Sequence, residues 1–262
     1  MAPVSIITSQ RDAWIGHDDG MRFLFVGDSM TVGRAGDFTW RYRMWRHLEA
    51  SFGEGGYAIV GPRTALHDTE ADAPLSTAYA DPGFPPDARR HLAGWGQGWL
   101  HLAPVIEETV AATRADVLLV SLGLIDLGFY TDSDQTAANA RAFVAAARRA
   151  NPSVGAVLLP VIPNVRALTD APFAAECERF NTLLAKAVAD LDQPASPLLL
   201  ASHPAGYDLG ADTYDGTHPG PSGEHKLAAA FADAMHQAWG LGLPYGAGAA
   251  AGPPRPTAPV PR

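Results

Sequence analysis

A serine, an aspartate and a histidine stand at points of the chain from which they could form a catalytic group. One segment, starting at Arg22, reads R-F-L-F-V-G-D-S and ends at Ser29; a second, starting at Asp215, reads D-G-T-H-P. A serine hydroxyl is a weak nucleophile at neutral pH, so it needs an imidazole within hydrogen-bond reach, and the imidazole needs a carboxylate to fix its tautomer. A spacing of three lets Asp215 and His218 meet across one turn. We therefore predict Ser29 as the nucleophile, His218 as the general base and Asp215 as the group that orients the base.

The flanking sequence decides whether these residues can meet. Short apolar runs typical of buried strands alternate with runs of helical periodicity, which predicts an α/β protein with a parallel sheet and helices on both faces. The predicted strands cover residues 22–27, 58–61, 116–123, 154–161 and 197–201, and the predicted helices cover residues 40–52, 99–113, 136–150, 173–190 and about 222–239. Ser29 then follows the first strand, at the edge where such sheets bind ligands, and His218 just precedes the last helix. Taken alone, Asp28 before the serine is also typical of a helix N-cap, and Asp215 with the glycine after it is typical of a turn.

Length and composition favour one α/β domain. The chain has 262 residues, of which 47% are hydrophobic, and we assign residues 21–243 to that domain. Residues 1–20 form an N-terminal extension, and residues 244–262, rich in Pro, Ala and Gly, are expected to be a disordered tail. The formal charge of −9 is spread along the chain, which argues against nucleic acid or a membrane as a partner. Cys177 is the only cysteine, and we expect it to be buried.

Signals for targeting and for metal binding are missing. The amino terminus lacks a basic start followed by an apolar run, and no stretch has the length of a membrane span, so we expect a cytoplasmic protein. Neither an H-E-x-x-H motif nor paired cysteines occur, so we expect no metal and no other cofactor. The G-x-S-x-G signature of the α/β-hydrolase fold is missing as well, which argues against that fold.

Two segments carry less regular patterns. Residues 64–94 are rich in Pro, Asp, Ala and Gly, and we interpret them as a substrate-facing excursion whose aromatic members are Tyr79 and Phe84. Three arginines within residues 41–46 alternate with apolar residues at helical spacing. We expect the arginines on the solvent side of a helix that buries Tyr42, Trp45 and Leu48.

The two motifs resemble those of the SGNH, or GDSL, hydrolase superfamily. Gly27, Asp28 and Ser29 match its first block, and Asp215 with His218 matches its last. The segment Y-R-M-W-R-H-L at residues 42–48 and the long insertion after it are similar to bacterial carbohydrate acetyl esterases. The resemblance implies a flavodoxin-like three-layer α/β/α sandwich with a five-stranded parallel sheet. It also implies an oxyanion hole to which Ser29 and a glycine of the second block each contribute a backbone N–H.

The second block matches the glycine-rich segment H-L-A-G-W-G-Q-G-W. Several of the similar acetyl esterases have a G-W pair at the start of the next helix, so Gly98 is the expected oxyanion donor, with Gly96 and Gly94 as alternatives. Glycine N–H groups at a helix start are ready anion donors. The competing interpretation is a flexible loop with Trp95 and Trp99 packed in the core.

The third block departs from the family pattern G-x-N-D, whose asparagine side chain donates to the oxyanion. Gly123 and Asp126 match, but Ile125 replaces the asparagine. Losing one such donor typically costs about 2.7–4 kcal/mol, or roughly 100- to 1,000-fold in turnover. Three explanations follow: another donor such as Gln97, Thr31 or a water takes its place, the substrate is intrinsically activated, as a thioester is, or the site no longer catalyses ester hydrolysis well.

These features together predict a serine esterase with a small-molecule acyl ester as its partner. It would hydrolyse acetyl or short-chain acyl esters of a small molecule or carbohydrate through an acyl-enzyme. The apolar Ile125 leaves two alternatives open, an acyltransferase that acts on a small-molecule acceptor and a ligand-binding protein that has lost catalysis. Candidate substrate contacts are Asp28, Gln97, Ile125 and Asp126, although Asp28 fits a structural role in the turn better.

Overall fold

The computed structural model describes residues 20–246, so the expected N-terminal extension lies outside the described residues except for its last residue. The strands are β1 (Met21–Gly27), β2 (Tyr57–Val60), β3 (Leu66–Asp68), β4 (Ala73–Ser76), β5 (Leu92–Ala93), β6 (Val117–Ser121), β7 (Gly155–Leu159) and β8 (Leu198–Leu200). The α-helices are α1 (Ser29–Val32), α2 (Trp40–Phe52), α3 (Trp99–Leu102), α4 (Ile106–Thr113), α5 (Ser133–Ala150), α6 (Ala171–Leu191), α7 (Leu209–Asp212) and α8 (Pro221–Trp239). Pro86–Arg89 and Val165–Leu168 form 3-10 helices, and Asp126–Tyr130 forms a π-helix.

The sheet is built around β1. Five strands run in the order β2-β1-β6-β7-β8, and each neighbouring pair is parallel. The short β5 adds a sixth strand that pairs Leu92 with Val26 on the β2 side of β1. Every residue of β6 and β7 is buried, as expected for apolar strands covered on both faces. The predicted α/β fold with a parallel sheet is therefore confirmed, and β5 is the addition to it.

Helices form the two outer layers. On the face of β1 that carries Phe25, α2 packs against α8, and the Trp40 ring stacks on Phe231 with 4.8 Å between the ring centroids. In the other layer α5 packs between α4 and α6. The helix predicted over residues 99–113 is interrupted, because Pro104 lies in the turn that separates α3 from α4 and has no N–H to continue the helix.

Residues 64–94 do not form a structureless excursion. β3 and β4 pair as an antiparallel hairpin, and Tyr79 and Phe84 pack with Leu66 in a small second core. Phe84 is fully buried and Tyr79 nearly so, so the expectation that these two rings face a substrate is wrong. Tyr42 and Trp45 of α2 pack against the same cluster. The aromatic rings are buried because together they remove a large apolar area from water.

Arg41 does not lie on the solvent side of α2, contrary to our expectation. Its side chain is fully buried, and its guanidinium donates hydrogen bonds of 2.7–3.0 Å to the carbonyls of Thr31, Val32 and Arg89 and to the hydroxyl of Tyr79. A buried cation is tolerated only when its donors are satisfied in this way. Arg41 therefore connects α1, which begins at the predicted nucleophile, to the second core.

Arg43 also departs from the expected solvent-facing position. Its Nη2 lies 2.9 Å from Oε2 of Glu224 on α8, and the Glu224 side chain is buried. The same carboxylate accepts the N–H of Thr39, the N-cap residue of α2. This ion pair links the first and last long helices of the described chain. Arg46, by contrast, is exposed as predicted.

The end of the described chain is held on the domain by Tyr245. Its N–H donates to Asp233 Oδ1 at 2.9 Å, and its hydroxyl is 2.8 Å from His225 Nδ1. Residues 244–246 of the expected tail are therefore held on the domain, and the rest of that tail lies outside the described residues, so the domain bounds stay a prediction. Cys177 is fully buried, as predicted, and burial raises the pKa of its thiol to about 11. Between residues 20 and 246 we find no helix with the length and apolar character that crossing a membrane requires.

We predict that Arg41→Met lowers the free energy of unfolding by about 3 kcal/mol, because it leaves several buried carbonyl groups without their donor. The matched control is Arg46→Met on the exposed side of the same helix, for which we expect a change within about 0.5 kcal/mol. Urea denaturation of both variants measures the difference. Equal stability of the two variants would contradict the structural role of Arg41.

Candidate active site

Ser29 begins α1, directly after the sharp turn that ends β1. Gly27 closes the strand in a tight space, since a Cβ atom there would lie 2.0 Å from Thr31 Oγ1. Asp28 caps the helix, and its carboxylate accepts the Met30 N–H at 2.9 Å. The N–H of Ser29 finds no hydrogen-bond partner among residues 20–246. The turn therefore presents a free N–H donor beside the serine hydroxyl.

His218 lies between Ser29 and Asp215. Its Nε2 is 2.8 Å from Ser29 Oγ, and its Nδ1 is 2.7 Å from Asp215 Oδ2. Because a carboxylate only accepts hydrogen bonds, the tautomer with hydrogen on Nδ1 satisfies both contacts and leaves Nε2 to accept the serine O–H. The structure thus brings together the three residues singled out by the two motifs, although Ser29 and His218 are 189 positions apart.

The turn that carries His218 also prepares Asp215. Oδ1 of Asp215 accepts the N–H groups of Thr217 at 2.9 Å and of His218 at 2.8 Å. Burial disfavours the charged form of Asp215, but these hydrogen bonds and the one from the His218 side chain outweigh burial and hold the pKa of the carboxyl below its usual value. Asp215 is therefore ionised at neutral pH and can stabilise a protonated imidazole.

Aromatic rings restrict the orientation of the His218 imidazole. Trp95 lies nearly parallel to it at 4.8 Å between centroids and 17°, and Tyr214 lies nearly parallel at 5.7 Å and 15°. His67 of β3 stacks in turn on Trp95 at 4.1 Å. The guanidinium of Arg34 lies 3.7 Å from the centroid of the Tyr214 ring. These contacts favour one plane of the imidazole, the plane in which both of its hydrogen bonds can form.

The glycine-rich segment 94–98 crosses over the end of β1. It begins where the Gly94 N–H donates to the carbonyl of Gly27 at 3.1 Å. It ends beside Asp126, which follows β6, since a Cβ on Gly98 would lie 2.1 Å from Asp126 Oδ2. β1 and β6 are neighbours in the sheet, so the segment passes over the edge at which Ser29 lies.

The three glycines of this segment differ in what their N–H groups do. The Gly94 N–H is used by Gly27, and the Gly98 N–H donates to His101 Nδ1 at 3.0 Å. Gly96 has a left-handed φ of 69°, and its N–H makes no hydrogen bond within the described part of the chain. Gly98 as the second oxyanion donor stays a prediction, and it requires His101 to share or release that N–H. Gly96, one of the two alternatives, has no such competitor.

Asp126 fixes the end of this segment through hydrogen bonds to the first turn of α3. Its side chain is fully buried, and its carboxylate accepts the N–H groups of Trp99 at 2.9 Å and Leu100 at 3.0 Å, the first turn of α3. Burial raises the pKa of Asp126, although these two hydrogen bonds oppose the shift. Full burial gives Asp126 a positioning role in place of the expected substrate contact. Asp28 is likewise buried and caps α1, which agrees with its structural interpretation.

Ile125 supplies no hydrogen-bond donor, and the two expected replacements differ. Ile125 is half-buried and has helical backbone angles. Thr31 is fully buried, and its hydroxyl oxygen accepts the indole N–H of Trp40 at 3.2 Å. Gln97 is only half-buried, and its Oε1 accepts from Nη1 of Arg63 at 2.7 Å, a bond that leaves its Nε2 donors free for another partner. Gln97 is therefore the better side-chain candidate for the missing donor.

Several residues of this site were not predicted. Trp95 and Tyr214 adjoin predicted motif residues, so aromatic neighbours of the catalytic blocks were a usable signal. His67, His101 and Arg63 belong to no recognisable motif. They lie near the site because of how β3, α3 and the residues before β3 pack in the fold, which the sequence pattern does not reveal. Within residues 20–246 no cluster of three or more His, Cys, Asp or Glu side chains could hold a metal ion.

Comparisons with known proteins identify the family of the chain. A model of the GDSL-like Lipase/Acylhydrolase family matches residues 25–226, and the chain therefore belongs to that family. No curated protein matches the sequence.

Three solved structures show the same fold. A carbohydrate esterase family 3 from Talaromyces cellulolyticus is 23% identical, with 83% of this chain and 97% of that chain covered and a TM-score of 0.68. A mutant acetyl esterase solved with acetate ion is 24% identical, with 79% and 92% covered and a TM-score of 0.62. An acetylxylan esterase from Geobacillus stearothermophilus is 18% identical, with 85% and 98% covered and a TM-score of 0.59.

The Asp28 carboxyl, beside Ser29, makes the stability of the protein depend on pH. Burial raises its pKa to about 7, and the nearby charge of Asp126 adds to the shift, while the hydrogen bond from Met30 opposes it. An unfolded Asp has a pKa of about 3.9. Between these two values the folded state keeps a proton that the unfolded state has lost. The free energy of unfolding therefore falls as pH rises from about 4 to about 7.

We predict that Asp28→Asn removes this contribution, because the amide keeps the acceptor for the Met30 N–H and carries no charge. Relative to the wild type, the variant should gain stability between about pH 5 and about pH 8, with an upper bound of about 3 kcal/mol. Urea denaturation at the two pH values measures the gain. The control is Asp87→Asn, a side chain that is 94% exposed. A difference between wild type and Asp28→Asn that stays constant with pH would rule out the shift.

Proposed function

We propose that this protein is a serine esterase that hydrolyses its substrate through an acyl-enzyme. The observation that carries the proposal is the unbroken chain of hydrogen bonds from Ser29 Oγ through His218 to Asp215, at 2.8 and 2.7 Å. A serine hydroxyl buried with no chemical task does not require a tautomer-fixed imidazole as its acceptor. Membership of the GDSL-like Lipase/Acylhydrolase family supports ester hydrolysis as the reaction class.

In the first half of the reaction, His218 Nε2 takes the proton from Ser29 as Oγ attacks the acyl carbon of the ester. The carbonyl oxygen becomes an oxyanion, and the N–H of Ser29 donates to it together with an N–H of the glycine-rich segment, from Gly98 or Gly96. The C–O bond to the alcohol then breaks, and the protonated His218 gives its proton to the departing alkoxide. The alcohol leaves, and the acyl group stays on Ser29.

In the second half, water replaces the alcohol. His218 accepts a proton from the water as its oxygen attacks the acyl carbon, and a second tetrahedral species forms in the same donor site. Its collapse returns the proton to Ser29 Oγ and releases the carboxylic acid. Asp215 keeps the Nδ1 proton in place during both halves and offsets the charge of the imidazolium.

We propose an acetyl or short-chain acyl ester of a small molecule or carbohydrate as the substrate. The support for a carbohydrate ester comes from the solved structures with the same fold, which are described as carbohydrate, acetyl and acetylxylan esterases. The formal charge of −9, spread along the sequence, argues against a polyanionic substrate.

Acyl transfer is the second candidate, and Ile125 is the observation that favours it. An apolar side chain at the position of a polar oxyanion donor offers water no hydrogen-bond partner, so water binds less well on that side of the site. An acyl-enzyme that reacts slowly with water survives long enough to meet an alcohol or amine. Product that forms only when such an acceptor is supplied would distinguish transfer from hydrolysis.

We predict that a fluorophosphonate adds one mass increment to the wild type and none to Ser29→Ala or His218→Ala, because only an activated serine hydroxyl attacks phosphorus at a useful rate. Ser29→Ala should also lose at least about 1,000-fold in turnover of p-nitrophenyl acetate. Intact-mass analysis and circular dichroism measure labelling and folding. The control is Ser51→Ala, a serine at the opposite edge of the sheet. If the folded wild type resists labelling, the ligand-binding alternative replaces the esterase.

We predict that Ile125→Asn raises turnover of p-nitrophenyl acetate by about tenfold or more, because one oxyanion donor is typically worth roughly 100- to 1,000-fold and a new side chain recovers part of it. The matched control is Ile125→Leu, which changes shape without adding a donor and should not accelerate the reaction. Steady-state kinetics of the two variants test the position. An equal rate for both would mean that residue 125 does not face the oxyanion.

A further inference from the structure

Large apolar side chains are exposed on three loops that follow β5, β6 and β7, at the edge of the sheet where Ser29 lies. In the described chain, nine large hydrophobic residues are exposed, and six of them belong to these loops. We call these six the apolar rim: Trp95, Leu100, Phe129, Tyr130, Val165 and Leu168. Phe129 and Leu168 are 76% and 73% exposed, more than any other large apolar side chain described. Contiguous exposed apolar surface usually marks a binding site.

Two contacts join the rim to the turn that carries Asp215 and His218. The Trp95 ring stacks on His218. The Val165 N–H donates to the carbonyl of Gly216, within the Asp215–His218 turn, at 2.8 Å, and a Cβ on Gly216 would lie 2.6 Å from Val165 Cβ. Both ends of the rim therefore touch the element that carries the predicted base.

Further contacts close the rim between those two ends. The Tyr130 ring lies edge-on to His101 at 4.8 Å, and His101 follows Leu100 in the first turn of α3. The π-helix that carries Phe129 and Tyr130 is tied to the 3-10 helix of Val165 and Leu168, because Arg166 Nη1 donates to the carbonyl of Gly128 at 3.0 Å. The rim thus follows the loops after β5, β6 and β7, on the same edge of the sheet as Ser29.

The two sides of the site differ in polarity. Ile125 directly precedes the π-helix that carries Phe129 and Tyr130, so the apolar substitution in the third block lies next to the rim in the chain. The other side holds Tyr214 with Arg34 above its ring, and Arg34 is paired with Asp37 at 3.5 Å. An ester that fits both sides has a polar part and an apolar part.

We propose that the apolar rim is a substrate subsite, and that the natural ester carries an alkyl or aryl group that lies across it. The inference rests on the proposed esterase function and adds a substrate class, an amphipathic ester in place of a fully polar acetylated sugar. The apolar group can belong to the acyl part or to the alcohol. The cavity that borders Asp28 and Met30 gives this group no room, since its volume is about 10 Å³, the space of one water molecule.

The experiment measures kcat/KM along two ester series. In the acyl series the chain grows from p-nitrophenyl acetate to the butanoate, hexanoate and octanoate. In the alcohol series it grows from ethyl acetate to butyl, hexyl and octyl acetate. The variants are Phe129→Ser and Leu168→Ser. The matched control is Leu243→Ser, a 39% exposed leucine held near Ser51 at the opposite edge of the sheet.

We expect kcat/KM of the wild type and of Leu243→Ser to rise by about twofold per added methylene in one of the two series, about half the gain that full burial gives. The series that rises identifies the acyl part or the alcohol as the apolar one. In Phe129→Ser and Leu168→Ser the loss should grow with chain length, so that the rise is flattened. A flat dependence in the wild type, or the same rise in all variants, overturns the subsite.

A binding measurement separates failure of the subsite from failure of the esterase. Ser29→Ala should bind either octyl acetate or ethyl octanoate at least tenfold more tightly than ethyl acetate, and adding Phe129→Ser should abolish that preference. If the wild type turns over no ester but this preference holds, the subsite stands and the esterase function falls. Equal binding of all three esters overturns the subsite. The subsite is also overturned if the protein is a dimer, if Phe129→Ser dissociates that dimer, and if the substitution leaves ester binding unchanged. This result would assign the rim to self-association.

Discussion

The two hydrogen bonds that Asp126 accepts from the first turn of α3 fix the geometry on which the site depends. They join the loop after β6 to the segment after β5, and they do so from a fully buried carboxylate. Gly98 can be only glycine in that position, because a Cβ would collide with Asp126 Oδ2. The segment that arrives there carries Trp95 over His218 on the way. Because Asp126 anchors one end of this short segment, it also fixes the position of the Trp95 ring that stacks on the His218 imidazole.

Buried carboxylates are costly, and this site contains two of them. Asp28 and Asp126 lie on neighbouring strand ends, and the charge of Asp126 contributes to the raised pKa of Asp28. Each is compensated by backbone N–H groups at a helix start, one at α1 and the other at α3. The first turns of α1 and α3 are therefore held in the same way, each by a buried carboxylate that accepts backbone N–H groups. Such an arrangement favours rigidity at the point where charge develops during catalysis.

Much of the fold was predictable from the sequence, because buried parallel strands are continuous apolar runs. The strands and long helices agree with their predicted bounds to within a few residues, and α2 matches at both ends. The motif residues Ser29, Asp215 and His218 were predictable because their chemistry constrains residue type and spacing. The burial of Arg41 and of Phe84 was not, since it depends on a hairpin whose apolar residues have no period. Nor could spacing reveal that His101 would accept the Gly98 N–H, which depends on side-chain rotamers.

The separation of Ser29 and His218 along the chain has a consequence for biosynthesis. Ser29 follows the first strand described, His218 precedes the last helix, and 189 positions lie between them. During synthesis the serine emerges from the ribosome long before its base does. Until His218 is in place, the hydroxyl is therefore an ordinary, unreactive alcohol. In the mechanism that we propose, Ser29 becomes reactive only when the carboxyl-terminal part of the domain has docked, so the nascent chain is protected from acylation while it is still folding.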